Sequence, residues 1–428
     1  MMERQKSLVA GAGHGGLAAA ALLAQMGHDV TVFETKAESD LGYDWCDCIG
    51  MDCFDQIGLP RPDDNAYTPM KAISYFNPRK TVCIRTKQRE PASSFVIDRK
   101  VLVRHLIALA RESGAKLCFS HRVHAAIMQG SRVNGLLTDS GAHEAALVID
   151  AAGMDSPVRK SLPASCGILR EINEKDTLFT YRAYFNDTGA PSDLPEYSAY
   201  FYHRGNCGFD WVIREDGYAD ILVASFGGIN ETIIDNAIRD FRADHPYIGD
   251  TLLRGGSCAR IPLRRTLPRF VCDGYAAIGD SASMIEPLSG SGLTMSIRAA
   301  GFLAETIRSA QDFSTASLWP YAYAFFRSNL SSILRQETLK DVMLHMGEHN
   351  IDAMFEKKII TIKELGGGKQ SASDILHKAV GTLTTPALIP HFTRMILRGK
   401  RRKTLIETLP QQYDAQAIAQ WERAYSQF

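Results

Sequence analysis

The stretch from Leu8 to Glu34, LVAGAGHGGLAAAALLAQMGHDVTVFE, constrains the fold more than any other part of the chain. A short apolar run, Leu8-Val9-Ala10, leads into Gly11-Ala12-Gly13-His14-Gly15-Gly16. An alanine- and leucine-rich segment of helical spacing follows and closes at Gly27. Val30-Thr31-Val32-Phe33 then reads as a second strand ending on Glu34. Strand, glycine turn, helix, strand and acid, in that order, form a dinucleotide-binding fingerprint.

Each part has a physical job. Gly11 permits the tight turn, Gly13 lets the backbone approach a pyrophosphate, and Gly16 lets the helix pack closely on the strand. His14 and Gly15 occupy the variable positions of the same loop and belong to the expected cofactor-binding set. The unpaired N–H groups and positive dipole end of the helix face the phosphates. Glu34 can accept hydrogen bonds from a ribose 2′-OH, and its charge disfavours a 2′-phosphate.

Composition narrows the class. A chain of 428 residues can bury two or three lobes, and 45% hydrophobic with 22% charged residues is a soluble globular balance. Formal net charge is zero, so electrostatics offer no case for nucleic-acid binding. No run of about 18 apolar residues occurs. The first strand begins almost at once, leaving no room for a signal peptide, and the nine cysteines do not form a disulfide framework. A reduced, cytoplasmic protein is expected.

Asp44-Trp45-Cys46-Asp47-Cys48-Ile49-Gly50-Met51-Asp52-Cys53 crowds thiols and carboxylates together. It lacks the separated ligand pairs of a structural zinc site and has no histidine nearby, so no metal is expected. The default is small residues lining a turn beneath the cofactor; the alternative is one thiol facing the active site. Asp44, Asp47 and Asp52 oppose the lowered pKa that a reactive thiol needs.

Residues 60–91 read as irregular, with short strands at 72–76 and 81–85. Asp98 is the expected N-cap of a helix through Glu112, with Leu102, Leu106, Leu109 and Ala110 buried. Strands follow at 116–119 and 146–151, with a small meander at 123–128 and 132–138. Strand-like segments at 177–185, 198–202, 211–214 and 220–225, then an amphipathic helix at 229–244, predict an antiparallel sheet walling a substrate cavity. Trp211, Tyr200 and Tyr202 are either cavity walls or ordinary core. A strand at 274–278 enters Gly279-Asp280, and a helix spans 292–310. Helices are expected at 321–346, 351–364 and 372–381, with a break at 366–368, and again from Pro386 onward.

The second informative stretch is Tyr275-Ala276-Ala277-Ile278-Gly279-Asp280-Ser281-Ala282-Ser283-Met284-Ile285-Glu286-Pro287-Leu288-Ser289-Gly290-Ser291-Gly292-Leu293. Asp280 ends a strand where ligands bind in open α/β sheets. With GAGHGG and Glu34, this stretch resembles FAD-dependent enzymes of the aromatic-hydroxylase superfamily, most of all the geranylgeranyl reductase branch. The resemblance spans roughly residues 5–310 and is strongest at its two ends.

The resemblance implies that Gly11, Gly13 and Gly16 face the pyrophosphate, that Glu34 meets the adenosine ribose, and that Arg99 contacts FAD from its helix start. It places Gly279 and Asp280 at the ribityl–pyrophosphate region, and Pro287 and Gly290 in the loop beside the isoalloxazine. The amides of Gly292 and Leu293 fall near the N1–O2 edge, where donors favour the reduced flavin. Reductase relatives carry a Cys-Gly segment against the flavin; Cys48-Ile49-Gly50 matches it imperfectly and Cys46 is equally placed. Cys46, Cys48 and Pro287 are therefore the candidate catalytic positions.

One departure stands out. Hydroxylase relatives carry GADGxxSxVR, whereas Asp150-Ala151-Ala152-Gly153-Met154-Asp155-Ser156-Pro157-Val158-Arg159 keeps Gly153, Ser156 and Arg159 but has Ala152 for the aspartate. Direct reduction by NADPH is thereby questioned, leaving NAD(P)H as a transient donor or a protein electron donor as the choices. Met395-Ile396-Leu397-Arg398-Gly399-Lys400-Arg401-Arg402-Lys403 mixes apolar and basic residues, as peripheral membrane contact would require.

The expected fold is a doubly wound Rossmann-type α/β FAD domain in two parts (1–165 and 266–315), with an antiparallel β-sheet substrate domain (166–265) and a helical C-terminal region (316–428). Residues 60–95 contribute to the substrate cavity. The expected function is FAD-dependent reduction of carbon–carbon double bonds in an apolar, isoprenoid-like substrate. A flavin-dependent monooxygenase acting on a hydrophobic small molecule is the alternative, and a flavin-binding protein without turnover the second.

Overall fold

The computed structural model describes residues 5–88, 91–361, 381–382 and 384–428. The expected break at 366–368 lies outside these residues, as do 362–364 and nearly all of the 372–381 helix; within them the helix expected over 351–364 already ends at Glu356.

Lys6–Ala10 sits in the middle of a six-stranded sheet. Asp29–Phe33 and Leu147–Asp150 flank it in parallel, with Lys116–Cys118 beyond the first and Tyr275–Ala277 beyond the second. Val271–Cys272 closes that edge as an antiparallel hairpin. The strand sequences are continuous apolar runs because both faces are covered. The helix His14–Gln25, alanine-rich and buried along most of its length, packs against the helices Arg99–Glu112 and Leu293–Ser309. Asp98 caps Arg99–Glu112, its carboxylate accepting from the amides of Lys100 at 2.7 Å and Val101 at 3.3 Å; such a cap stabilises a helix by about 1 kcal/mol. The expected meander is present as Val123–Gln129, Arg132–Thr138 and Gly141–Glu144.

A second, seven-stranded sheet runs in the order Ile248–Ile261, Leu178–Asp187, Tyr218–Ser225, Phe209–Glu215, Tyr197–Phe201, Ser74–Phe76 and Cys83–Arg85. Its last two strands come from the segment read as mostly irregular, and Ser74–Phe76 joins Tyr197–Phe201 in parallel. Strand periodicity divides its faces. Ala183, Phe185, Val212, Ile221 and Val223 face the helix Glu231–Asp244, against Ala237, Ile238 and Phe241. Thr180, Arg182, Tyr184, Trp211, Asp220 and Leu222 line a cavity on the other side. Ile248–Ile261 was not legible as a strand, because most of its side chains are exposed or half-buried and Gly255-Gly256 interrupts any alternation.

A third sheet pairs Cys46–Ile49 and Tyr67–Pro69 with Phe95–Asp98. The cysteine-rich segment is thus a strand where a turn was expected. Its pairing partner lies far along the chain, and its other side is held by side chains: the Cys46 amide donates to the Tyr184 hydroxyl at 2.9 Å, and Arg182 Nη1 donates to the Cys46 carbonyl.

The long helix begins at Thr315, breaks where Gly347 adopts φ +69°, and resumes to Glu356. Ile389–Glu407 packs beside it, and Ala415–Ser426 buries Trp421 and Tyr425 against Phe326. No helix among the described residues is long and apolar enough to cross a membrane.

Gly16 gives the sheet–helix contact a direct test, since a Cβ there would lie 2.5 Å from the Gly11 carbonyl oxygen and 2.8 Å from the Ala151 Cβ. Gly16→Ala is expected to lower stability by about 1–3 kcal/mol, read as a fall in the urea midpoint at unchanged m-value.

Candidate functional site

One cavity of about 820 Å³ runs between the six- and seven-stranded sheets. Gly13, His14, Gly15 and Gly16 form one end of its wall, with Arg99 from the neighbouring helix start. Gly279, Asp280, Gly290, Gly292 and Leu293 form the adjacent part. Cys46 and Cys48 join them from the third sheet, two residues apart and so on one face of their strand. Gly11, Glu34 and Pro287 do not reach the cavity surface. Gly11 shapes the turn from below at φ +94°, with its amide donating to the Phe33 carbonyl at 2.8 Å. Glu34 accepts from the Ala12 amide at 2.8 Å and the Lys36 amide at 2.9 Å, and Pro287 is buried.

The turn fits a pyrophosphate on its own geometry. A Cβ at Gly13 would find only the Ala151 carbonyl oxygen, 3.6 Å away, so the space over this backbone is open. Two buried nitrogens here, His14 Nε2 and Arg99 Nε, have no hydrogen-bond partner in the protein. Burial, then the charge of Arg99, holds the His14 imidazole well below its ordinary pKa, so it is neutral. Burial raises the Asp280 carboxyl and Arg99 opposes the rise. A helix N-terminus, a guanidinium with a spare N–H and an unpartnered imidazole are a donor set suited to phosphates.

Behind this wall, Asp150 is fully buried at the end of its strand. Its carboxylate accepts from Ser156 Oγ at 2.6 Å, the Tyr275 hydroxyl at 2.8 Å, Ser281 Oγ at 3.0 Å and the Ala152 amide at 3.1 Å. Arg159, also fully buried, donates to the Ser281 carbonyl at 2.7 Å and to the Met154 carbonyl. The two chain segments that present Gly153 and Asp280 to the cavity are bound to one another here.

Polar groups that sequence reasoning missed cluster at the thiols. Arg182 and Asp220 form a buried pair at 2.5 and 2.9 Å, and Arg182 also meets Asp47 at 3.2 Å. Asp47 in turn binds Arg99 at 2.9 Å. The available signal was an arginine inside the strand LFTYRAYF, but its partner lies on a neighbouring strand. Burial first, then Asp98, raises the Cys46 thiol; burial first, then Asp47, pushes the Cys48 thiol up to about 12. Cys53 is buried in the helix Asp52–Ile57, away from the cavity wall, and no metal-binding group of His, Cys, Asp or Glu occurs among the described residues.

Beyond the thiols the wall turns apolar, with Phe201, Phe209, Trp211, Leu222, Leu339 and Met343. Trp211 is therefore cavity wall, stacked under Arg182 at 5.1 Å. Tyr200 is chiefly core, its hydroxyl 2.7 Å from His245 Nε2. Tyr202 donates to the Met343 carbonyl at 3.0 Å and ties the sheet to the long helix.

Residues 4–186 match the model of an FAD binding domain family. The digeranylgeranylglycerophospholipid reductase 2 of Methanopyrus kandleri is 24% identical over 331 residues, covering 73% of this chain and 80% of the relative. The digeranylgeranylglycerophospholipid reductase of Sulfolobus acidocaldarius is 21% identical over 438 residues, covering 97% and 95%. This chain is an FAD-dependent oxidoreductase. The oxidoreductase shares its fold with a geranylgeranyl bacteriochlorophyll reductase-like protein of Thermoplasma acidophilum, at TM-score 0.73 and 18% identity over 91% of this chain and 99% of that one. It is also similar in fold to PqsL of Pseudomonas aeruginosa in complex with 2-aminobenzoylacetate, at TM-score 0.61 and 17% identity, covering 83% of this chain and 100% of that one. The geranylgeranyl reductase branch of the aromatic-hydroxylase superfamily is thus the one this oxidoreductase resembles.

Two outcomes follow from these environments. Arg182→Met leaves the Asp220 carboxylate buried and unpaired, so a loss of about 3–5 kcal/mol is expected, with Asp220→Leu in the same chain recovering most of it in urea unfolding. At pH 7, iodoacetamide should label the exposed Cys258 well before Cys48, whose thiolate forms only as pH nears 12. Peptide mass mapping over time reads the order.

Proposed function

We propose that this FAD-dependent oxidoreductase reduces carbon–carbon double bonds of an apolar, isoprenoid-like substrate. The observation that carries the reading is the continuity of one cavity from the glycine turn, past the thiols of Cys46 and Cys48, into an apolar pocket. The names of the Methanopyrus and Sulfolobus relatives support the same chemistry.

In this reading Gly13, Gly15 and Gly16, with His14 and Arg99, hold the FAD pyrophosphate over the turn that Gly11 shapes, and Glu34 holds the adenosine ribose. Asp280 and Gly279 meet the ribityl chain. Gly290 and Pro287 shape the loop whose Gly292 and Leu293 amides face the isoalloxazine. Bound and reduced, the cofactor supplies hydride to one carbon of the double bond. Phe201, Phe209 and Trp211 position the chain and exclude water. Cys46 Sγ and Cys48 Sγ keep their protons at neutral pH, which suits proton donation to the second carbon and disfavours nucleophilic attack. The Arg182 guanidinium favours the thiolate that donation leaves behind, since its charge lowers both thiols. Ala152, standing where hydroxylase relatives have aspartate, favours this reading over the monooxygenase and leaves the electron donor to be found among NAD(P)H and protein donors.

The test is anaerobic. Purified yellow protein reduced with dithionite is mixed with geranylgeraniol, and a mass gain of two hydrogens per double bond is expected, with the flavin reoxidised in step. In a parallel run with NAD(P)H as reductant and oxygen then admitted, fast reduction followed by oxygen incorporation into the substrate would overturn the reading in favour of the monooxygenase. Cys48→Ala should keep its flavin and lose about 10²-fold or more in turnover; unchanged turnover would remove the thiol from the proposal.

A further inference from the structure

The six-stranded sheet has a second face that the redox reading leaves unused. Val9 faces the helix His14–Gln25, its Cγ1 lying 3.3 Å from where a Gly16 Cβ would sit. Val32 and Leu117 stand in register with Val9 across the next two strands. Their neighbours therefore point the opposite way: Lys6 and Leu8, Thr31 and Phe33, Lys116 and Cys118. These six side chains floor a cavity of about 480 Å³, which shares no lining residue with the cavity between the two large sheets. His121 closes it from the loop after Lys116–Cys118, and Ser140 and His143 close it from the meander.

Several polar groups of this cavity have no partner within the fold. Thr31 is only 9% exposed, and its hydroxyl makes no hydrogen bond among the described residues. Burying a hydroxyl in that condition opposes folding unless something else meets it. Lys116 stands in register with Thr31, and Lys6 lies two residues before Leu8, the neighbour on the other side. Neither lysine forms an ion pair among the described residues. The one carboxylate lining the cavity, Asp29, is in register with Lys6. Each imidazole is held through one nitrogen and has the other to spare. His121 Nδ1 donates to the Phe119 carbonyl at 2.9 Å, and His143 Nε2 lies 2.9 Å from Ser140 Oγ. The His143 ring also packs against Phe33, centroid to centroid at 4.8 Å. Burial first, then the charges of Lys6 and Lys116, holds this imidazole below its ordinary pKa.

We infer that this cavity is a second small-molecule site, taking a phosphate monoester whose planar body rests on Phe33 and His143. The phosphate lies over Thr31 between the two ammonium groups. Two unpaired lysines match a dianion in charge, and the Thr31 hydroxyl adds a neutral donor. Asp29 disfavours a further anionic group at the Lys6 end, so one charged head on a neutral body is the fit. Leu8 and the Phe33 and His143 rings supply the apolar and aromatic surface for that body. The volume is that of a small-ligand pocket. Free phosphate carries the same head group, and the test separates the two sources.

The experiment is calorimetric titration of oxidised holoprotein with phenyl phosphate, phenol and inorganic phosphate. Phenyl phosphate should bind about tenfold or more tightly than either of the others. Lys6→Gln with Lys116→Gln should abolish that preference while flavin content and circular dichroism stay unchanged. Lys400→Gln, at an exposed position on the C-terminal helix Ile389–Glu407, should keep it. A second readout places the ligand. Cys118 lines the cavity, so phenyl phosphate should slow its labelling by iodoacetamide and leave the exposed Cys258 unaffected. Equal affinity for phenyl phosphate and phenol, a preference surviving in the double variant, or unprotected Cys118 overturns the site. Inorganic phosphate binding as tightly as phenyl phosphate overturns the planar body and assigns the pocket to free phosphate. If the double variant loses its flavin, Lys116→Gln alone carries the test, at an exposed position on the edge strand. It should weaken phenyl phosphate by about threefold or more, and unchanged affinity overturns the site. None of these readouts requires turnover, so this inference and the redox reading stand or fall separately.

Discussion

A single buried carboxylate holds the cofactor lobe together. Asp150 has no cationic partner among its four hydrogen-bond donors, two of which, Tyr275 and Ser281, come from the distant second half of the lobe. A buried charge persists only when its lone pairs are filled. The chain satisfies them with hydroxyls and an amide, and the requirement fixes where the strand Tyr275–Ala277 and the turn after it can lie. The positions of Gly279 and Asp280 against the glycine turn of the first strand follow from that bond set.

The second lobe depends on a different device. Arg182 lies over Trp211, pairs with Asp220, and reaches across to the Cys46 carbonyl and Asp47. One guanidinium thereby joins the antiparallel sheet to the strand that carries the thiols. Net stabilisation by such a pair is small against well-packed apolar residues, but removal of one member is costly. Its contribution is positional: it holds two cysteines at the boundary between the polar and apolar halves of the cavity.

The parts of this arrangement legible in sequence were those encoded locally. The Leu8–Glu34 fingerprint, the Asp98 cap with its buried stripe, and the strand entering Gly279-Asp280 each depend on residues within one or two elements. The cysteine-rich segment was read as a turn because its partner strand, Phe95–Asp98, is remote, and neither sequence alone advertises the pairing. Ile248–Ile261 was missed because an edge strand with exposed side chains has no hydrophobic period to detect. Asp150 was in view only as a flank of Ala152, since burial of a carboxylate is a property of the assembled core. Arg182 with Asp220 is a juxtaposition across elements, and no spacing rule reports it.

Both large sheets are built from strands far apart in the chain. The six-stranded sheet needs Lys6–Ala10 and Tyr275–Ala277, and the seven-stranded sheet needs Ser74–Phe76 together with Ile248–Ile261. During synthesis neither sheet can close until roughly the same late stretch has emerged, so the two lobes must mature together rather than one after the other. Contacts of such long sequence separation fold slowly. The nascent chain would meanwhile present open sheet edges, making it a natural client for chaperones until the Tyr275 strand arrives.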